Sequence, residues 1–200
     1  MNHEITETSL QIEDTDISFD TIYEKKYIPQ DYIQDIKKAN FLIIPEENYR
    51  GEESLIFPET TREFLEYVKS AQQDTIISDI AVSDEDFQRI ELHSATITVA
   101  TVIVQWVVLP IATGIVSAFL YDLIKKYRRK DDETTAEVNM IVEDKKTKKS
   151  KKITYKGPVS GVKDALDSAA QNLFKEDWVF MTIADFEAYL STKRTSMDAS

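Results

Sequence analysis

Residues that could perform acid–base or nucleophilic chemistry are few in this chain of 200 residues. There is no cysteine, which excludes a thiolate nucleophile and a zinc–thiolate site. Of the two histidines, His3 lies at the chain start and His93 borders an apolar stretch, where a structural role is the simpler interpretation. Carboxylate pairs such as Glu46-Glu47 lack the alternating spacing of a calcium loop. We therefore expect no enzyme activity, no metal site and no cofactor.

One glycine-containing segment superficially has the composition of a phosphate-binding loop. Gly157-Pro158 and Gly161 precede Lys163, but the spacing is wrong and no Ser or Thr follows the lysine. Pro158 also removes a backbone N–H that would bind phosphate. We expect a turn that leads into a helix.

Charge is distributed unevenly along the chain. The net charge is −12, and residues 1–93 hold 22 acidic against 8 basic residues, whereas residues 94–200 hold 14 against 16. Because an acidic surface repels phosphates, we expect no specific nucleic-acid binding.

Residues 94–121 contain no charged residue, although 30% of the chain is charged. About 20 apolar residues in a helix cross the hydrocarbon core of a bilayer, so this stretch favours a membrane-embedded helix. Basic residues follow it, and the positive-inside rule then puts the C-terminal half in the cytoplasm. The cluster expected to face lipid headgroups is Lys125, Lys126, Arg128, Arg129 and Lys130.

The same stretch permits two other interpretations. Residues 96–108 are rich in β-branched side chains and could form a central strand, with Pro110 opening a helix in a soluble core. Breaks at Pro110 and Gly114 could instead produce a re-entrant hairpin. If the stretch is one apolar membrane helix, Gly114 and Ala118 have the spacing of a helix-packing face that lets another span approach closely.

The surrounding patterns predict an α+β fold with five regions. These are an acidic, weakly ordered arm (1–27), a small α/β unit (28–93), the apolar segment with its basic flank (94–130), a hairpin-plus-helix module (131–191) and a polar tail (192–200). Within the α/β unit, Thr60 and Glu63 have capping-box spacing, and a helix is expected to begin near Ser83. Between its strands, the loop containing Tyr49, Arg50 and Gly51 is the candidate surface for a protein partner.

These features favour a membrane-associated, non-catalytic interaction or regulatory protein that tethers small modules near the bilayer and contacts lipid and a protein partner. The alternative is a cytoplasmic, soluble, acidic α+β binding protein or inhibitor. The layout of a small α/β front, an apolar middle and a basic hairpin resembles that of bacterial accessory proteins of defence or toxin gene clusters. For the soluble alternative, this resemblance implies an accessory role in such a system.

Overall fold

The computed structural model of the protein describes residues 8–47, 55–71, 75–83, 85, 87–90, 96–127 and 134–174. Helices and strands combine there in an α+β fold with one long apolar helix, as the sequence predicts. The helices are α1 (Phe19–Tyr23), α2 (Ile33–Ile36), α3 (Thr61–Ser70), α4 (Leu109–Lys126) and α5 (Val159–Asn172). The strands are β1 (Ser9–Thr15), β2 (Phe41–Ile43), β3 (Glu46–Glu47), β4 (Leu55–Pro58), β5 (Ser78–Ile80), β6 (Gln88–Ile90), β7 (Ile97–Thr98), β8 (Val102–Gln105), β9 (Thr135–Asp144) and β10 (Lys149–Pro158).

Seven of the strands in the described part of the chain form one mixed sheet. Its order is β1-β10-β9-β8-β2-β5, and β7 pairs with β9 beside β8. The hairpin of β9 and β10 is antiparallel, as the alternation of Val138, Met140 and Val142 predicts. Strands β8 and β9 are parallel, whereas β8 and β2 are antiparallel. Strands β3, β4 and β6 form a second, small sheet.

The core has two layers because successive side chains of a strand point to opposite faces of the sheet. Helices α3, α4 and α5 cover one face, where Val104 and Met140 are buried. Helix α1 and the segment around α2 cover part of the other face, where Ile103 and Ile141 are buried. Val102, Ile103 and Val104 of β8 are therefore all buried and form a continuous apolar run in the sequence.

The uncharged stretch divides into strands and a helix. Strands β7 and β8 occupy its first part. Pro110 lies in the first turn of α4, where backbone N–H groups have no partner within the helix, so its missing N–H costs no hydrogen bond. A bulge separates β7 from β8. Ile97 pairs with Ala136, and Val102 pairs with Met140. Five positions along β7 and β8 therefore lie opposite four positions along β9, so the bulge adds one residue. The interpretation as a central strand followed by a Pro110-initiated helix matches this arrangement.

Residues 8–27 of the predicted acidic arm contain β1, which pairs with β10, and α1, whose Phe19 is buried. Two expectations from the sequence are corrected. The helix expected near Ser83 is absent from the described residues, which have strand β6 at 88–90 because that segment pairs with β4. Thr60 precedes α3 but makes no side-chain cap, and its hydroxyl is buried without a partner among the described residues.

Candidate functional site

Helix α4 is long and strongly apolar. Among the described residues, the one helix long and apolar enough to cross a membrane is that of residues 106–126, which has a mean hydropathy of 2.0. The core helix of a soluble protein meets the same criterion, and 56% of this segment is buried inside the molecule. Its inward face packs against the sheet and neighbouring helices through side chains such as Val116, Phe119 and Leu120.

The opposite side of α4 is exposed and largely apolar, and the exposed carboxylate of Asp122 borders it. Val107 is 76% exposed and Tyr121 is 47% exposed, and Pro110, Gly114 and Ala118 are also exposed. These five residues, with half-buried Ile111 at the margin, form a surface that is named the outer face of α4. It includes Val107, which lies in the 3₁₀ turn Trp106–Val108 that leads into the helix. Apolar positions recurring at intervals of three and four residues form one stripe along a helix, and an uncovered stripe of this kind commonly marks an interaction site.

Gly114 and Ala118, the predicted helix-packing pair, both lie on this outer face. A Cβ atom added at Gly114 would have no heavy atom within 4 Å apart from the helix's own backbone. No packing contact with the described residues therefore requires a glycine at this position. Because glycine in a helix interior costs about 1 kcal/mol relative to alanine, its presence is a local disadvantage for the isolated chain.

The predicted lipid-facing cluster is only partly described. The Lys125 ammonium lies 4.4 Å from the centre of the Tyr121 ring, a cation–π contact at the end of the outer face. The Lys126 ammonium donates a hydrogen bond to Glu63 of α3 at 2.8 Å, which raises the pKa of Lys126. Arg128, Arg129 and Lys130 lie outside the described residues.

The basic hairpin receives charge compensation from the acidic N-terminal segment. Strand β1 runs antiparallel to β10, and Asp14 accepts a hydrogen bond from the Lys151 ammonium at 2.8 Å. This contact lowers the pKa of Asp14. Asp20 lies 3.7 Å from the Lys148 ammonium. Part of the charge asymmetry between the two halves of the sequence is thus matched within the fold.

A groove of about 660 Å³ opens on the sheet face that α1 covers only partly. The bulge between β7 and β8, the segment after β2 and the start of α1 form its walls, and β9 contributes its floor. Its ionisable lining residues are Asp16, Lys25, Glu46, Glu47, Glu137 and Lys152. This volume is sufficient for a small ligand.

Glu47 is the best-connected carboxylate of this groove. One of its oxygens accepts a hydrogen bond from the Lys25 ammonium at 2.9 Å, and the other accepts one from the Tyr27 hydroxyl at 3.2 Å. Burial and this carboxylate raise the pKa of Tyr27. Glu47 is thus occupied by contacts within the chain, which is typical of a structural ion pair rather than a catalytic base.

The described part of the chain holds no metal-binding grouping. Within these residues, Asp, Glu and His side chains do not form any group of three or more that could bind a metal ion. The two glycines of the discounted phosphate-loop motif instead make room for Tyr155, because a Cβ at Gly157 or Gly161 would lie 2.7 or 2.8 Å from its hydroxyl oxygen. That hydroxyl donates a hydrogen bond to the Pro158 carbonyl at 2.7 Å.

Some predicted site residues cannot be placed. The partner loop of Tyr49, Arg50 and Gly51 lies outside the described residues, as do His3 and His93. The spacing of small residues predicts Gly114 and Ala118 as a packing pair but gives no sign that Val107 and Tyr121 belong to the same surface. Residues 109–121 of α4 carry no charge and therefore offer no polar face from which the outward side could be inferred.

Comparison with known proteins supplies no function. No protein-family model, no curated protein and no solved structure matches this chain.

Proposed function

We propose that this protein is a non-catalytic interaction protein that binds a partner protein through the outer face of α4. The observation that carries this proposal is the exposure of apolar side chains, above all Val107 and Tyr121, on a helix whose other side is part of the core. Burying apolar surface is favourable by roughly 25 cal/mol per Å², so a partner that covers this face gains free energy from it.

The shape of the outer face favours a helix as the binding element. The small residues Gly114 and Ala118 lie between the larger Val107 and Tyr121 along the exposed stripe. Small residues at such positions let two helix backbones approach closely. The surface would therefore accept an apolar helix more readily than a flat sheet.

Membrane association of α4 is the second candidate, favoured by its hydropathy of 2.0. In that arrangement the basic flank would place the C-terminal half in the cytoplasm. A spanning α4 would have to leave the sheet, however; its side chains would be buried again in lipid, but the strand surface that its nine inward side chains now cover would be exposed to water. Losing this burial disfavours the crossing, so we rank binding of a protein partner first.

Photo-crosslinking in cells that express the full chain tests the first proposal. A benzoylphenylalanine residue replaces Ala118 on the outer face or Ser160 on the exposed side of α5 as a matched control. We expect discrete protein adducts from position 118 and none from position 160. Absence of adducts at 118, or equal adducts at both positions, would refute binding through this face.

Carbonate extraction of the membrane fraction separates the two candidates. We expect the wild-type chain in the supernatant after high-speed centrifugation. Retention in the carbonate-washed pellet would favour the spanning arrangement, and reporters fused to each end would then give the side of the membrane on which each lies.

A further inference from the structure

The groove beside α1 is a second candidate site, on the opposite face of the sheet from α4. Its floor residues Asn139 and Ile141 alternate along β9 with Met140, which packs beneath the helices on the other face. A ligand in the groove would not touch the outer face of α4, so this site is independent of the proposed function. The class of ligand follows from the polar groups that the fold leaves without a partner.

Two partly buried charges of opposite sign line the groove. They are the Lys152 ammonium on β10 and the Glu137 carboxylate on β9, and neither forms an ion pair with any described residue. Glu13 lies directly opposite Lys152 and Lys156 lies directly opposite Glu137, but both of these neighbours are exposed and neither completes a salt bridge. Because a charge that is partly removed from water loses hydration, an oppositely charged ligand group is favoured at each position.

The strand register sets the order of the polar groups along the floor. Lys152 pairs with Ile141, and Thr154 pairs with Asn139, which lies between the levels of Lys152 and Glu137. At about 3.4 Å per residue, the two charged positions are about 14 Å apart along the strands. The carboxamide oxygen of Asn139 accepts a hydrogen bond from the Thr154 hydroxyl at 3.1 Å. The amide N–H groups of Asn139 have no partner among the described residues and remain available to a ligand.

Uncharged groups line the wall that contains the bulge between β7 and β8. Thr98 and Thr101 are partly buried there, and neither hydroxyl makes a hydrogen bond to the described part of the chain. Ile44 and Val99 contribute apolar side chains beside them. Hydroxyl, amide and apolar groups in this mixture suit a peptide, whose backbone N–H and C=O groups need partners.

The remaining ionisable groups of the lining are compatible with a ligand that carries an ammonium group. Lys25 and Glu47 compensate each other, with the ammonium 2.9 Å from a carboxylate oxygen. Asp16 and Glu46 are exposed, so solvent and salt screen them more strongly than the partly buried charges. Because carboxylates outnumber ammonium groups in the whole lining, a ligand with only negative charge is disfavoured.

We infer that the groove binds a short peptide with free termini, whose carboxylate lies at Lys152 and whose ammonium group lies at Glu137. An extended chain of about four residues spans about 14 Å. Its backbone amides meet Asn139 and the threonine hydroxyls, and the volume of about 660 Å³ accommodates a ligand of this size.

Titration of the purified full chain with tetra-alanine, followed by saturation-transfer NMR of the peptide, measures binding. N-acetylated tetra-alanine and tetra-alanine amide each lack one terminal charge and are the matched probes. We expect each blocked peptide to bind at least about tenfold more weakly than the free one, because each loses a hydrogen bond between charged groups. Absence of binding by tetra-alanine, or equal binding of all three peptides, overturns the inference.

Variants assign each peptide terminus to its side chain. Lys152→Met should weaken binding of tetra-alanine by about tenfold but leave binding of its amide unchanged, since the amide has already lost the contact. Glu137→Gln should show the corresponding pattern with the N-acetylated peptide. Lys149→Met, at an exposed position of β10 outside the groove lining, is the control. An equal loss in this control, or tighter binding of the amide than of the free peptide, contradicts the assignment.

Discussion

The Glu143 carboxylate on β9 accepts a hydrogen bond from the backbone N–H of Phe19 at 2.7 Å, and this contact joins residues 124 positions apart. Glu143 is only 3% exposed, and Phe19 is the first residue of α1, where backbone N–H groups lack partners within the helix. The buried carboxylate thus fixes α1 on the sheet at one side of the groove.

Removing this acceptor should destabilise the protein. We expect Glu143→Ala to lower the free energy of unfolding by about 1–3 kcal/mol, because a buried donor loses its partner. Glu143→Gln retains a carbonyl oxygen and should lose less. Urea unfolding followed by circular dichroism measures both changes. Glu137→Ala, in the same strand and on the same face but partly exposed, is the control, and an equal loss there would argue against a special role for Glu143.

The effect of Gly161→Ala on the free energy of unfolding should change sign when Tyr155 is replaced by Phe. In the wild type, Gly161→Ala brings a methyl group within 2.8 Å of the fully buried tyrosine hydroxyl, and such overpacking typically costs about 1–3 kcal/mol. In a Tyr155→Phe background the next atom lies 3.8 Å away, so the alanine should gain up to about 1 kcal/mol from its helix propensity. A double-mutant cycle of unfolding free energies checks this, and additive effects would contradict the close contact.

Gly114→Ala should stabilise the monomer. The site is in mid-helix, a Cβ there meets open space, and alanine is favoured over glycine by about 1 kcal/mol. Thermal unfolding at concentrations where the chain sediments at 23.0 kDa measures this gain. A loss of monomer stability would mean that the space beside Gly114 is filled within the chain itself.

Stability should fall at alkaline pH because buried phenols resist ionisation. Burial raises the pKa of Tyr155 to about 12 and that of Tyr23, which also lies near Glu143, to about 12. Tyrosines in the unfolded chain ionise near their ordinary pKa of 10.0, so the unfolded state releases protons first as the pH rises. The stabilisation is complete below pH 10.0 and is lost progressively toward pH 12. Urea unfolding at several pH values across this range measures the fall in the free energy of unfolding, and ultraviolet absorbance measures how much phenolate has formed. Tyr155→Phe should flatten the dependence, and an unchanged slope would contradict the assignment.

Pairings between strands that are close in the sequence could be predicted better than pairings between strands that are far apart in it. The hairpin could be predicted because Val138, Met140 and Val142 alternate with polar residues over a short distance. The pairing of β1 with β10 could not, since Leu10 and Tyr155 are far apart in the sequence and neither strand indicates its partner.

The candidate surface could be predicted only in part for a related physical reason. Val107 is 76% exposed and Val108 is 2% exposed, although both are the same residue type in the same uncharged stretch. Only the packing of α4 against the sheet determines which of the two faces outward. Likewise, the burial of Glu143 depends on where α1 docks, which no neighbouring residue in the sequence indicates.

The pairing of Ser9 with Lys156 has a consequence for synthesis on the ribosome. The first strand emerges on the order of ten seconds before the strand that receives it, at ordinary rates of translation. During that interval Leu10 and Ile12 have no partner strand, and β1 can pair as the edge strand of the sheet only after β10 has been synthesised. The large sheet therefore closes late, with residues 9–15 among the last to be paired.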